Sequence, residues 1–345
     1  YLYGDYCGET YHFIMVGFFH GKGVSNLKPF KTIEEQFELL RSRGLSFTDE
    51  NKAKIFLLNN NYYNVINCYA KFFMTDDDNF IEGTNFDEIT QVHYFDKEIK
   101  SIFFKSIIDA EKHFKSILAY RFSEKFKDQK YAYLIASNYN DNDILEVTAT
   151  ISSLSKIINK HKTKKDNSIN HYINKHNDVP FWILTNYMNF GQLLYFYKYL
   201  DDSLKNKIAK DFSSFLADNL DVEKIQLTPE DLISFLENTL ELRNVVAHNN
   251  RLLGFKCRGH VHYLPKLHDK YSITNESKKQ DVYNVFIVMQ CLLSKNQYAL
   301  LHNTLLKKTK NLNNKLKTID TNIILSCLGF PNNWYLTAKL PQPIG

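Results

Sequence analysis

The chain has 345 residues, enough to bury a substantial core as one large or two modest domains. Its 44% hydrophobic and 23% charged content is that of a globular protein, and the mild net charge of +5 does not by itself announce nucleic acid. Only 12 Gly and 7 Pro are present, too few for a turn-rich β-sandwich, so long helices are expected. Five widely spread cysteines (Cys7, Cys68, Cys257, Cys291, Cys327) form no CxxC pair, which fits a reducing cytoplasm better than a disulfide framework. No apolar run reaches the length needed to span a bilayer, and the aromatic opening has neither a basic start nor an A-x-A cleavage site. The expectation is a cytoplasmic protein without a membrane partner, with residues 1–26 as an extension of unclear role.

In chain order, "KTIEEQFELLRSRGL" predicts a helix with Thr32 as N-cap, Glu35 closing a capping box and Gly44 as the stop. "FTDENKAKIFLLNN" predicts a second, started by Thr48 with two carboxylates in its first turn, and "NYYNVINCYAKFF" a third. From Asn85 to Phe126 apolar residues recur at three and four. Phe95, Ile99, Ile102, Phe103, Ile107, Phe114 and Leu118 trace one stripe, in one very long helix or two in tandem. A helix near 143–159 ends in the basic run 160–165, which reads as an exposed loop. "VPFWILTNYMNFGQLLYFYKYL" predicts a helix pair punctuated by Pro180 and Gly191. "LTPEDLISFLENTLELRNVVAH" has the sharpest start, with Thr228 as N-cap, Pro229 at N1 and Asp231 at N3. "CRGHVHYLP" reads as a short extended segment, and helices resume at "DVYNVFIVMQCLLSK". No internal repeat is visible, and the fold class is mainly α.

One stretch carries chemistry. On a wheel of 100° per residue with Arg243 at zero, Arg251 falls near 80°, Asn244 near 100° and His248 near 140°. Leu242, Val245 and Val246 face the other way, provided the helix continues to Arg251. Such a face could cleave RNA without a metal. Histidine, with an ordinary pKa near 6.5, can take a proton from the 2′-OH or give one to the leaving 5′ oxygen. Arginine offers a permanent planar fork for a dianionic phosphorane. One histidine cannot easily act on both sides of phosphorus; two copies related by a two-fold axis could. Arg-x4-His spacing is weak by itself, and on spacing alone a solvated helix end whose cations complement the dipole is the better account.

At these residues the sequence resembles HEPN ribonucleases of the Abi-like (AbiD/AbiF) abortive-infection kind. "LRNVVAHNNRL" looks like their RN-x3-H signature. "LKPFKTIEEQFELLRSRGL", "NNNYYNVINCYAKFF", "VHYFDKEIKSIFFKSIIDAEKHFKSILAY", "VPFWILTNYMNFGQLLYFY" and "LGFPNNWYL" resemble the family's other blocks in order, across roughly residues 27–336. The resemblance implies a helical HEPN-type bundle with additional N-terminal helices over 27–345, acting as a homodimer with the motifs facing each other. It implies an endoribonuclease toxin of phage defence that needs no cofactor, restrained in some relatives by a structured noncoding RNA. Arg243 and His248 match the catalytic positions, Asn244 the polar position after the arginine, and Arg251 the basic residue after the histidine. In one departure, Lys115 follows Glu111 where relatives often have Arg, which replaces a bidentate fork by a point charge.

Other features are weaker. Lys160, Lys162, Lys164 and Lys165, and Lys307, Lys308 and Lys310 with Lys315 and Lys317 beyond them, could grip RNA phosphates, or form solvated faces. Tyr62, Tyr63 and Tyr69 could stack on bases but suit a core better. Cys257, His260, His262 and His268 lack the usual paired spacing of zinc ligands, so no metal is expected. The competing function is a noncatalytic RNA-binding protein that holds a structured RNA on the same basic face.

Overall fold

A computed structural model describes residues 30–140 and 142–339; the extension expected over 1–26 lies outside them. The helices are α1 (Ile33–Ser42), α2 (Glu50–Asn60), α3 (Phe86–Lys125), α4 (Ile144–His161), α5 (Ser168–His176), α6 (Phe181–Leu184), α7 (Phe190–Lys198), α8 (Asp202–Leu220), α9 (Pro229–Ala247), α10 (Pro265–His268), α11 (Val282–Val288), α12 (Lys295–Asn313), α13 (Thr321–Cys327) and α14 (Trp334–Thr337). Among the described residues there is no strand, only isolated bridges such as that between Lys256 and Asp281. The fold is mainly α, as expected.

α3 is the spine. Its 40 residues form one helix, about 60 Å long at 1.5 Å per residue. The periodic stripe explains the continuity: Phe95, Ile99, Phe103, Ile107, Phe114 and Leu118 are all buried, so each turn has a core contact to hold it. α6, α7, α8, α9 and α12 pack around this stripe. Phe114 meets Phe190 and Tyr197 of α7 and Phe212 of α8, and Phe122 meets Phe181 and Phe196. Near the start of α3, the Glu88 carboxylate accepts the amides of Lys317 and Thr318 at 2.6 and 2.9 Å, tying in the segment after α12.

Most helix starts follow the sequence signals. Thr32 and Glu35 exchange hydrogen bonds as a capping box, and so do Thr228 and Asp231, with Pro229 at N1. Three details differ. The cap of α2 is Asp49 rather than Thr48, because the Asp49 carboxylate reaches the Lys52 amide at 3.1 Å while Thr48 turns to Asn85. "NYYNVINCYAKFF" is not one regular helix but a π-helical turn, Tyr63–Asn67, followed by a 3-10 turn, Ala70–Phe73. The break between α6 and α7 falls at Met188 and Asn189, where Asn189 and Gln192 form a capping box, so Gly191 lies inside α7. The extended segment near Cys257 does pair with chain: Cys257 and Val261 donate to Gln280 and Lys279 carbonyls, without forming a strand.

The C-terminal helices close the bundle. Phe330 packs tilted and Trp334 edge-on against Phe286 of α11, with centroids 5.6 and 5.8 Å away. Gly329 is required here: φ is +79°, and a Cβ would lie 2.0 Å from the carboxylate carbon of Asp281, the N-cap of α11.

Candidate active site

α9 is anchored along its length and stopped sharply. Leu232, Phe235, Leu236, Leu242, Val245 and Val246 are buried, which fixes the helix's rotation about its axis. His248 is the C-cap. Asn249 follows with φ at +54°, its amide donating to Val246, and the Asn250 amide reaches back to Val245 at 3.0 Å. That pair of bonds is a Schellman stop with asparagine in the left-handed position usually held by glycine.

Arg243, Asn244 and His248 therefore share the last turns of α9. Asn244 and His248 are exposed, whereas Arg243 is half-buried. Its Nη1 lies 3.5 Å from Asn244 Oδ1, and its Nε is buried without a hydrogen-bond partner. Arg251 departs from the sequence expectation. The helix ends at Ala247, four residues earlier, so the arc drawn through Arg251 does not exist; its Nη1 instead donates to the Cys68 carbonyl at 3.1 Å. Lys71 lies nearby, its ammonium pKa lowered by burial first and by the charge of Arg251 second.

What sets the turn after His248 is a buried network that the sequence reading missed. Asp96 of α3 is fully buried. Its Oδ1 accepts the amides of Leu252 and Leu253 at 2.9 and 3.0 Å; its Oδ2 accepts the Tyr69 hydroxyl at 3.0 Å and pairs with Lys100 at 3.1 Å. Lys100 donates in turn to the Asn249 carbonyl at 3.3 Å. One carboxylate and one ammonium thus satisfy main-chain groups on both sides of Asn250 and Arg251. Burial, then the charge and hydrogen bond of Asp96, push the Tyr69 phenol well above its ordinary pKa, so it stays a donor. Asp96 and Lys100 were present in the sequence as a polar i,i+4 pair adjoining Phe95 and Ile99, on the edge of the apolar stripe. That position was the available signal.

α9 and α3 run in opposite directions. Lys100 touches the end of α9, whereas Phe114, further along α3, meets α7, whose Gly191 approaches Leu240 of α9. Glu111 lies on this part of α3, and its Oε2, like Arg243 Nε, is buried without a hydrogen-bond partner.

The remaining candidates fall elsewhere. Lys160, Lys162, Lys164 and Lys165 are exposed around the turn between α4 and α5, the loop the sequence indicated. Lys307 and Lys310 are exposed on α12, but Lys308 is paired with Glu98 and Lys315 with Gln91, both on α3. Tyr69 belongs to the core, Tyr62 is half-buried and Tyr63 is exposed. Cys257 is buried with its sulfur 3.7 Å from the Asn238 carbonyl, and among the described residues no three of His, Cys, Asp or Glu gather as a metal-holding group. No helix among them is long and apolar enough to cross a membrane.

The structure is that of an all-helical bundle in which Arg243 lies on the last turns of α9 and His248 caps it. The family model described as Abi-like protein matches residues 55–254, from α2 through the turn that Asp96 holds, and the chain belongs to that family. Membership suggests a part in abortive infection, a defence against phage. No curated protein and no solved structure matches the chain.

Proposed function

We propose that the protein is a HEPN-type endoribonuclease that cleaves RNA without a metal and acts in abortive infection as a growth-arresting toxin. The observation that carries this reading is the end of α9, where Arg243 and His248 sit within two turns of each other, one half-buried and one exposed. The half-buried Arg243 guanidinium, with Asn244 Oδ1 3.5 Å from Nη1, is the permanent cation that would receive a phosphate. An exposed imidazole at the helix end is accessible to a strand of RNA.

In the reaction, the 2′ oxygen attacks the adjacent phosphorus as its proton passes to one His248. The phosphorane's charge is held by Arg243, with Asn244 beside it. The bond to the 5′ oxygen then breaks as that oxygen takes a proton, leaving a 2′,3′-cyclic phosphate and a 5′-hydroxyl. Base and acid act on opposite sides of phosphorus, so the second histidine is His248 of a second copy in a homodimer. Arg251, through the Cys68 carbonyl, supports the turn rather than the phosphate in this scheme. The exposed lysines at 160–165, with Lys307 and Lys310, hold the substrate or an inhibitory structured RNA electrostatically.

The test is induced expression of wild type, Arg243→Ala and His248→Ala, with growth and the integrity of cellular RNA followed together. Arrest and cleavage by wild type alone support the assignment. Arrest by all three proteins contradicts it, and RNA binding by all three with cleavage by none makes the protein an RNA-binding module.

A further inference from the structure

The C-terminal half of α3 and the short helix α6 leave between them an open groove of about 700 Å³, within the size range of ligand sites. It lies beyond the α9 turn along the spine, its lining beginning at Lys112, one residue past Glu111. Lys100 touches the α9 turn, and Ala119 in the groove lining is roughly 28 Å further along α3 at 1.5 Å per residue.

Its lining combines cations with flat rings. Lys112 and Lys115 project from α3, and Lys127 follows its end. Among the described residues none of the three makes an ion pair. The one carboxylate in the lining, Glu124, is committed to Arg121 at 2.9 Å. The groove is therefore positively charged. Two large rings stand in it uncovered: Tyr120 is 63% exposed and Trp182 52% exposed, whereas the chain's second tryptophan, Trp334, is 5% exposed. Tyr120 is steadied from behind. The Arg121 guanidinium lies 5.3 Å from its ring centroid and is itself gripped by both oxygens of Asp211 at 2.6 and 2.7 Å.

Unpaired cations repel a second cationic surface and favour a polyanion. Exposed rings beside them distinguish among polyanions, because a nucleic-acid strand with unpaired bases offers a π-face at each phosphate step, whereas a duplex hides its bases. The geometry points to this groove as a binding site for unpaired nucleotides, with Trp182 and Tyr120 stacking on bases and Lys112, Lys115 and Lys127 holding phosphates. The site does not depend on the cleavage reaction proposed for Arg243 and His248.

The test uses the full chain and its own tryptophan emission. Trp334 is buried, so quenching by a stacked base reports on Trp182. Short oligoadenylate RNA, its DNA counterpart and a duplex of mixed sequence are each titrated. The DNA strand lacks a 2′-OH, so it cannot be cut by the proposed reaction, and its binding separates failure of this site from failure of the nuclease. Both single strands are expected to quench and the duplex is not. Trp182→Phe keeps a stacking ring and so binds within about threefold of wild type, but loses the quenching; Trp182→Ala binds about tenfold more weakly. Reversing all three lysines to Glu lowers the slope of log Kd against log salt by about two, at roughly 0.7 per phosphate for single strands. Circular dichroism confirms that the variants stay helical. Single-strand binding without quenching, equal quenching by the duplex, or wild-type affinity in both Trp182→Ala and the triple variant overturns the proposal. So does quenching by an acidic peptide alone, which would give the groove to a protein.

Discussion

Replacing Asp96 by Asn should loosen the turn that follows His248. The carboxylate takes four hydrogen-bond donors, and its cationic partner Lys100 has a side chain only 9% exposed. Asn keeps one carbonyl oxygen for the Leu252 and Leu253 amides. It places an NH2 where Oδ2 met Tyr69 and Lys100, setting donor against donor and leaving a buried ammonium without its counter-charge. Breaking a buried pair by removing one partner costs about 3–5 kcal/mol. Lys100→Met strands the carboxylate instead and should cost a similar amount. Asp96→Asn with Lys100→Met removes both charges, so the double variant should recover at least about 2 kcal/mol relative to the sum of the single changes. Urea unfolding followed by circular dichroism measures all four proteins. The same displacement reaches the proposed catalysis, because His248 immediately precedes the residue whose carbonyl Lys100 holds. RNA cleavage by Asp96→Asn should fall tenfold or more (the order expected when a catalytic group shifts by a fraction of an ångström), while substrate affinity changes little. Strict additivity of the two changes, or a cost below about 1 kcal/mol for each, would refute the view that this charge pair holds the turn.

Gly329→Ala combines a left-handed φ with a collision against the Asp281 carboxylate, so it should destabilise by about 2 kcal/mol or more and lower the melting temperature by several degrees. Asn249→Gly, by contrast, places the preferred residue in the left-handed C-terminal position and should leave stability within about 1 kcal/mol of wild type. Burial lowers the pKa of His93, His268 and His302, so the unfolded chain takes up protons that the native protein refuses. Stability should therefore be fully present above about pH 6.5 and fall as pH drops below it, by up to about 1.4 kcal/mol per pH unit per histidine until the folded pKa is reached. Urea midpoints between pH 7.5 and 5 measure this, and His302→Gln should flatten the curve. The dimer proposed for catalysis should appear in a native mass measurement under cleaving conditions; a monomer that cleaves at full rate contradicts the paired mechanism.

Local signals carried much of this architecture because they act within a few residues. Thr228, Pro229 and Asp231 fix the start of α9 by bonds three residues apart, and the stripe of α3 needs only its own periodicity. The end of α9 was less legible. An asparagine took the left-handed position, and two further cationic or polar residues after it extended the apparent arc to Arg251. Its true direction is settled by Cys68, which lies 183 residues away in sequence. Asp96 and Lys100 look like a surface i,i+4 pair in isolation; their importance comes from amides more than 150 residues further along the chain. The π-helical turn at Tyr63–Asn67 likewise has no counterpart in the apolar spacing that suggested a plain helix.

In the proposed mechanism Arg243 and His248 cleave RNA by 2′-OH attack. It is tested most directly by incubating purified wild type, His248→Ala and Arg243→Ala with a single-stranded RNA in the presence of a chelator and identifying the product ends. Wild type should leave 2′,3′-cyclic phosphate and 5′-hydroxyl ends, with each variant slower by a factor of about 10²–10⁴. Equal cleavage by wild type and His248→Ala, or products ending in 5′-phosphate, would contradict it.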